Sequence, residues 1–115
     1  MTDLIACVSD DKGTVAHVKR VIDGESFEKV YIVTTLDCKD LISGAEKIII
    51  DNQKMLPEMI EDIKNALRDK VKMMDTAVNI ISGSGKEHMA LLSALLSLGV
   101  GIRFVAFTKE GVREI

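Results

Sequence analysis

Residues 78–92 read VNIISGSGKEHMALL, and the handover inside this stretch decides the fold. The strand-type apolar run Ala77 to Ile81 enters it. Ser82-Gly83-Ser84-Gly85-Lys86 interrupts it, and a helical pattern follows. Glu87 to Leu98 is the expected helix, with Gly99 as its C-cap, and Ile102 to Phe107 is a further strand. Thr108-Lys109-Glu110-Gly111 then reads as a hairpin turn into a short antiparallel last strand, Val112 to Ile115.

The same alternation continues towards the N-terminus. Pro57 opens the longest helical pattern, where its missing N–H costs nothing, and Ile60, Ile63, Leu67, Val71 and Met74 trace one apolar stripe. Before it, Lys47–Ile50 and Val30–Thr34 are β-branched strands, with a short helix expected over Leu36–Ala45. Val15, Val18, Val21 and Ile22 mark a helix closed by Gly24. Leu4–Val8 is a continuous apolar run suited to a strand buried on both faces. Strands alternating with helices imply a Rossmann-like, doubly wound α/β fold. We expect a mainly parallel five-stranded sheet in the order 3-2-1-4-5, plus the antiparallel C-terminal strand.

Composition limits the function. The chain has 115 residues, 47% of them hydrophobic, so residues 1–115 fit a single domain with a real core. A net charge of −3 lacks the basic excess that attracts duplex nucleic acid or an anionic membrane. Cys7 and Cys38 show neither CxxC nor Cys/His metal spacing, so both are expected as reduced thiols in a cytosolic protein, with no metal and no cofactor. No apolar run approaches the roughly 18 residues of a membrane span, and no export signal is expected.

In the order 3-2-1-4-5, strands one and four are central neighbours, and ligands bind where their crossovers diverge. The loops after them, Ser9-Asp10-Asp11-Lys12-Gly13-Thr14 and Ser82-Gly83-Ser84-Gly85-Lys86-Glu87-His88, would share one rim. Glycines let backbone N–H groups converge on an anion, a helix N-terminus adds partial positive charge, and Lys86 adds a full one, so the second turn suits phosphate. It is not a Walker A loop, because Ile80 and Glu87 stand where Gly and Ser/Thr are required, and the first loop is not GxGxxG. The bland alternative is a turn that only satisfies backbone geometry, with Lys86 solvated. Lys12 and Thr14 are then turn and cap residues, and Asp10 and Asp11 are capping groups. His88 lies near Lys86 and could move protons; His17 reads as an ordinary boundary residue, and the methionines as core filler.

The stretch ISGSGKEHMALLSALLSLGV followed by a strand resembles the second motif of CRISPR-associated Rossmann-fold (CARF) domains, in which a Gly/Ser/Thr-rich turn with a lysine precedes an Ala/Leu-rich helix. VSDDKGT sits where that family has its other motif. SGSGK departs from the commoner GG-Thr-Lys form, and the acidic pair is atypical. The resemblance implies a homodimer whose facing loops bind a cyclic oligoadenylate, as a stand-alone sensor or as a metal-independent ring nuclease. In the latter, Ser9 would orient ribose, Lys86 would stabilise the phosphorane and His88 would serve as acid. The implied ligand-binding residues are Ser9, Asp10, Lys12, Gly13, Thr14, Ser82, Gly83, Ser84, Gly85, Lys86 and His88.

Two other classes fit parts of the chain. A phosphoacceptor receiver domain would use Asp10-Asp11, Asp51, Ser82 and Lys109. A structural or interaction domain would use the apolar Ala90–Leu98 helix as an interface.

Overall fold

The structure, a computed structural model, describes residues 2–71 and 75–115. Six strands form one sheet in the order β3-β2-β1-β4-β5-β6, as expected from the sequence. They are β1 (Asp3–Cys7), β2 (Val30–Thr35), β3 (Glu46–Ile50), β4 (Thr76–Asn79), β5 (Ile102–Thr108) and β6 (Gly111–Glu114); all neighbours pair in parallel except β5 with β6. The long helices are α1 (Lys12–Gly24), α2 (Leu56–Leu67) and α3 (Gly85–Ser97).

The central strand explains the continuous apolar run at its origin. Ile5 and Cys7 face a core built with Met59, Ile63 and Leu67 of α2 and Leu91 and Leu95 of α3. Leu4 and Ala6 face the other side, where Val15, Val18 and Val21 of α1 pack. Every residue of β1 is therefore buried, the pattern expected of a parallel strand covered on both faces. Gly24 ends α1 against β6, and a Cβ there would stand 2.5 Å from Val112 Cγ2, so the close approach requires glycine. Gly99 takes a φ of 73° after α3 while the Val100 amide bonds the Leu95 carbonyl at 3.0 Å, a Schellman-type stop.

Three expectations need correction. No helix spans 36–45: a single 3₁₀ turn, Leu36–Cys38, gives way to bends in which Cys38 and Ile42 are buried. Cys38, Leu41, Ile42 and Ala45 do fall at i, i+3, i+4 and i+7, but Gly44 takes a φ of 77°, which no helix accommodates, and Leu41, Ile42 and Ala45 instead plug the α1 side of the sheet. The α2 stripe outlasts its helix, which ends at Leu67; Val71 lies in a bend but still packs on the core, and Met74 falls outside the described residues. Finally, β4 stops at Asn79 rather than Ile81. The Asn79 side chain donates to the Val105 carbonyl (2.9 Å) and accepts from the Ile81 amide (3.3 Å), taking the place of the next ladder bonds.

Candidate functional site

Since β1 and β4 are parallel neighbours, their following loops leave the same edge of the sheet side by side. Ser82 joins them. It is 1% exposed, and its Oγ accepts the Ser9 amide (2.9 Å), receives the Thr14 hydroxyl (3.0 Å) and lies 3.3 Å from Ser9 Oγ. The Gly83 amide completes the link by donating to Ser9 Oγ at 3.2 Å. The hydroxyl protons have two arrangements. If Thr14 donates to Ser82, Ser82 donates on to Ser9, and the Ser9 proton is left for a ligand; if Thr14 donates instead to the Asp11 carbonyl (3.1 Å), the three hydroxyls can satisfy one another.

Both helices that start at this rim already have a carboxylate in their N-terminal caps. Asp11 is the N-cap of α1, its Oδ1 accepting the Thr14 amide at 3.0 Å. At α3 a capping box closes: the Glu87 amide donates to Ser84 Oγ (3.2 Å), and the Ser84 amide to Glu87 Oε1 (2.8 Å). Glu87 is 7% exposed, and its Oε2 also accepts from Asn52 Nδ2 at 3.2 Å. A negative charge thus lies under the glycine turn, where the sequence offered only positive potential. Burial, reinforced by Glu87, pushes the neighbouring Cys7 thiol up to about 12, so this cysteine stays an inert thiol at neutral pH.

The expected site residues therefore separate. Ser9, Thr14, Ser82 and Gly83 converge through direct hydrogen bonds. Ser84 is spent on the cap. Lys86 Nζ reaches across to the Asn52 carbonyl, 2.9 Å away beyond the end of β3. His88 Nε2 lies 2.7 Å from the Ser82 carbonyl, and since a carbonyl only accepts, that nitrogen carries the proton and supports the turn from below. Asp10, Lys12 and Gly13 are exposed; Asp10 and Lys12 line a pocket of about 300 Å³ with Val15, Ala16, Lys19 and Leu41. Of the two turn glycines, only Gly83 is demanded by geometry: its φ is +100°, and a Cβ would meet Glu87 Oε1 at 3.0 Å. At Gly85 a Cβ would meet nothing within 4 Å.

Sequence reasoning missed Asn52 and Glu87, the residues that tie the turn to the end of β3. The S-x-x-E spacing of Ser84 and Glu87 was a capping-box signal that could have found the second. Asp51, the proposed phosphoacceptor, accepts the Gln53 amide in a local turn at 2.9 Å and lines a pocket of about 520 Å³ with Asp37, Lys54 and Asp62. Among the described residues no group of three or more His, Cys, Asp or Glu side chains could hold a metal ion. The strand order also differs from the 2-1-3-4-5 of receiver domains. Among the described residues, no helix is long and apolar enough to cross a membrane.

The fold and rim define a Rossmann-like α/β domain with a hydroxyl-lined switch point. No known protein-family model matches the chain, and no curated protein matches it significantly.

Proposed function

We propose that this chain binds an anionic nucleotide of the cyclic oligoadenylate class at the β1–β4 rim, with two copies of the rim facing one another across a homodimer axis. The observation that carries the reading is the Ser9–Ser82–Thr14 link, which holds both loops together at the switch point where doubly wound folds take their ligands. Because a carboxylate already sits in the N-terminal cap of each helix, the charge for phosphate has to come from Lys86 and Lys12, with Ser9 and Thr14 as hydroxyl partners. Lys86 must leave the Asn52 carbonyl to take part.

If the ligand is cleaved, a ribose 2′-oxygen forms the new bond to its own phosphorus while the bond to the 5′-oxygen breaks. The 2′-proton is lost, the 5′-oxygen gains one, and a 2′,3′-cyclic phosphate remains. Ser9 and Lys86 would orient and neutralise; the Nε2 proton of His88 is committed to Ser82, so His88 holds the turn rather than serving as the acid.

Labelled cyclic oligoadenylates of different ring sizes test this by equilibrium binding, followed by chromatography for product. Lys86→Ala is expected to weaken binding about ten- to a hundred-fold per site, the range for a hydrogen bond to a charged group, while the loss of its exposed bond to Asn52 leaves stability nearly unchanged, within about 0.5 kcal/mol. Unaltered binding by that variant would remove Lys86 from the site, and no binding by the parent chain would end the nucleotide reading.

One observation favours a second reading, an interaction domain. Met89 and Leu96 on α3 are 58% and 67% exposed, within a stretch that carries no charge from Met89 to Ile102. A chain that self-associates through this helix and binds no nucleotide would meet that description.

A further inference from the structure

His17 lies one helical turn after Thr14 on α1, and Asn79 lies three residues before Ser82. The two pairs form parallel clasps between α1 and the β4 line: Thr14 to Ser82 at the rim, and His17 to Asn79 below it. The lower clasp is the less ordinary one. His17 Nε2 stands 3.3 Å from the Phe107 amide nitrogen and 3.2 Å from Asn79 Nδ2. Both neighbours are donors. The Asn79 amide cannot turn over without loss, because its Nδ2 also donates to the Val105 carbonyl and its Oδ1 accepts from Ile81. Nε2 must therefore carry a lone pair, and the ring proton sits on Nδ1.

We infer that His17 is a pH-sensitive clasp: while neutral it binds α1 to β4 and β5, and on protonation it releases them and loosens the Thr14–Ser82 contact at the rim. A proton on Nε2 would point at two N–H donors at once. A cavity of about 190 Å³, lined by His17, Asn79, Ile80, Ile81 and Phe104 among others, gives the displaced ring room to move. On α1 itself, Arg20 is the charge acting on His17, its guanidinium 5.5 Å from the centre of the Phe107 ring. β4 carries no ionisable side chain; on β5, Arg103 is engaged by Asp75 at 2.8 Å; on β6, Arg113 donates to its neighbouring Val112 carbonyl, and Glu114 is exposed. Desolvation first and Arg20 second hold the imidazole below the usual histidine range. A group depressed in this way makes the folded state lose stability as pH falls from the free-histidine value towards the folded one. The inference stands on the contacts of His17 with β4 and β5 and holds whether or not the rim takes a nucleotide.

Nuclear magnetic resonance on the whole chain decides it. At about pH 7.5 the His17 ring is expected as the Nδ1–H tautomer. Between about pH 6.5 and 5.5 the hydrogen-exchange protection factor of the Phe107 amide is expected to fall roughly five- to tenfold, the linkage slope for one proton taken up on opening. The Ser9 amide, which reports Ser82 Oγ at the upper clasp, should lose protection with it. His17→Gln, which keeps an acceptor at all pH values, should abolish both responses. A protonated Nε2 at neutral pH, or equal Phe107 protection at both pH values, overturns the clasp. The same pH response in His17→Gln as in the parent also overturns it, and a Phe107 response with an unmoved Ser9 amide overturns the link to the rim. Should His17→Gln fail to fold, the tautomer and protection factors of the parent chain still decide.

Discussion

The loop after β1 caps its helix with one side chain, Asp11, whose carboxylate takes the Thr14 amide. The turn after β4 uses a reciprocal pair, Ser84 and Glu87, and needs Gly83 in a left-handed backbone conformation to bring them together. The two serve the same topological purpose, yet they differ in how far their consequences travel. The Asp11 cap is exposed and local. The second cap is rooted in the core, with Glu87 buried beside Cys7 and tied to Asn52, and Ser82 buried as the hub for the first loop. The rim is thus organised from the β4 side, with the β1 loop leaning on it.

Three substitutions test that asymmetry. Gly83→Ala should have the largest effect, costing about 2–3 kcal/mol, because an L-residue is strained at this φ and its Cβ would crowd Glu87. Chemical denaturation measures it, and a loss under about 0.5 kcal/mol, the ordinary surface range, would show that the turn relaxes freely. Ser82→Ala should cost about 1–2 kcal/mol, since it removes the acceptor of the Ser9 amide in a buried setting. The Ser9 amide should then exchange faster; unchanged exchange would mean that the loops are held together by something else. Gly85→Ala should be the smallest, a gain of up to about 0.5 kcal/mol, because the site is open and alanine is the better helix former. A loss as large as that of Gly83→Ala would erase the distinction between the two glycines.

Most of the fold was legible, for physical reasons that individual residues show. Leu4–Val8 had to be buried on both faces, and a strand–turn–helix at 78–92 needed a crossover, which together called for a doubly wound parallel sheet; the expected order 3-2-1-4-5, with β1 beside β4, is the one found. The segment 36–45 misled because Cys38, Leu41, Ile42 and Ala45 repeat at helical spacing, whereas Gly44 sits at a φ of 77° and no helix forms through it. Strand ends were blurred wherever a side chain replaces the ladder, as Asn79 does. The site was legible as a place and less so as chemistry. Ser9, Thr14 and Ser82 meet as the topology requires, whereas the direction taken by Lys86 depends on Asn52, 34 residues away in sequence, which no local pattern announces. His17 escaped for the same reason: its partners come from β4 and β5, 62 and 90 residues away.

The antiparallel β6 has a practical consequence. β5 runs towards the rim and β6 runs back only part of the way, so residue 115 lies beside Phe104, level with Val78 in mid-sheet, its amide bonded to the Phe104 carbonyl at 3.0 Å and its side chain lining a cavity with Ile80 and Ile81. Thr2, by contrast, lies at the end of the sheet away from the rim, just before β1 and bonded to Asp75. A linker attached at residue 2 would therefore anchor the molecule by its underside, whereas one at residue 115 would leave closer to the rim. Chain captured on a sensor surface through residue 2 would hold the Ser9–Ser82 rim towards the flowing solution, leaving the candidate site unobstructed for the nucleotide titration.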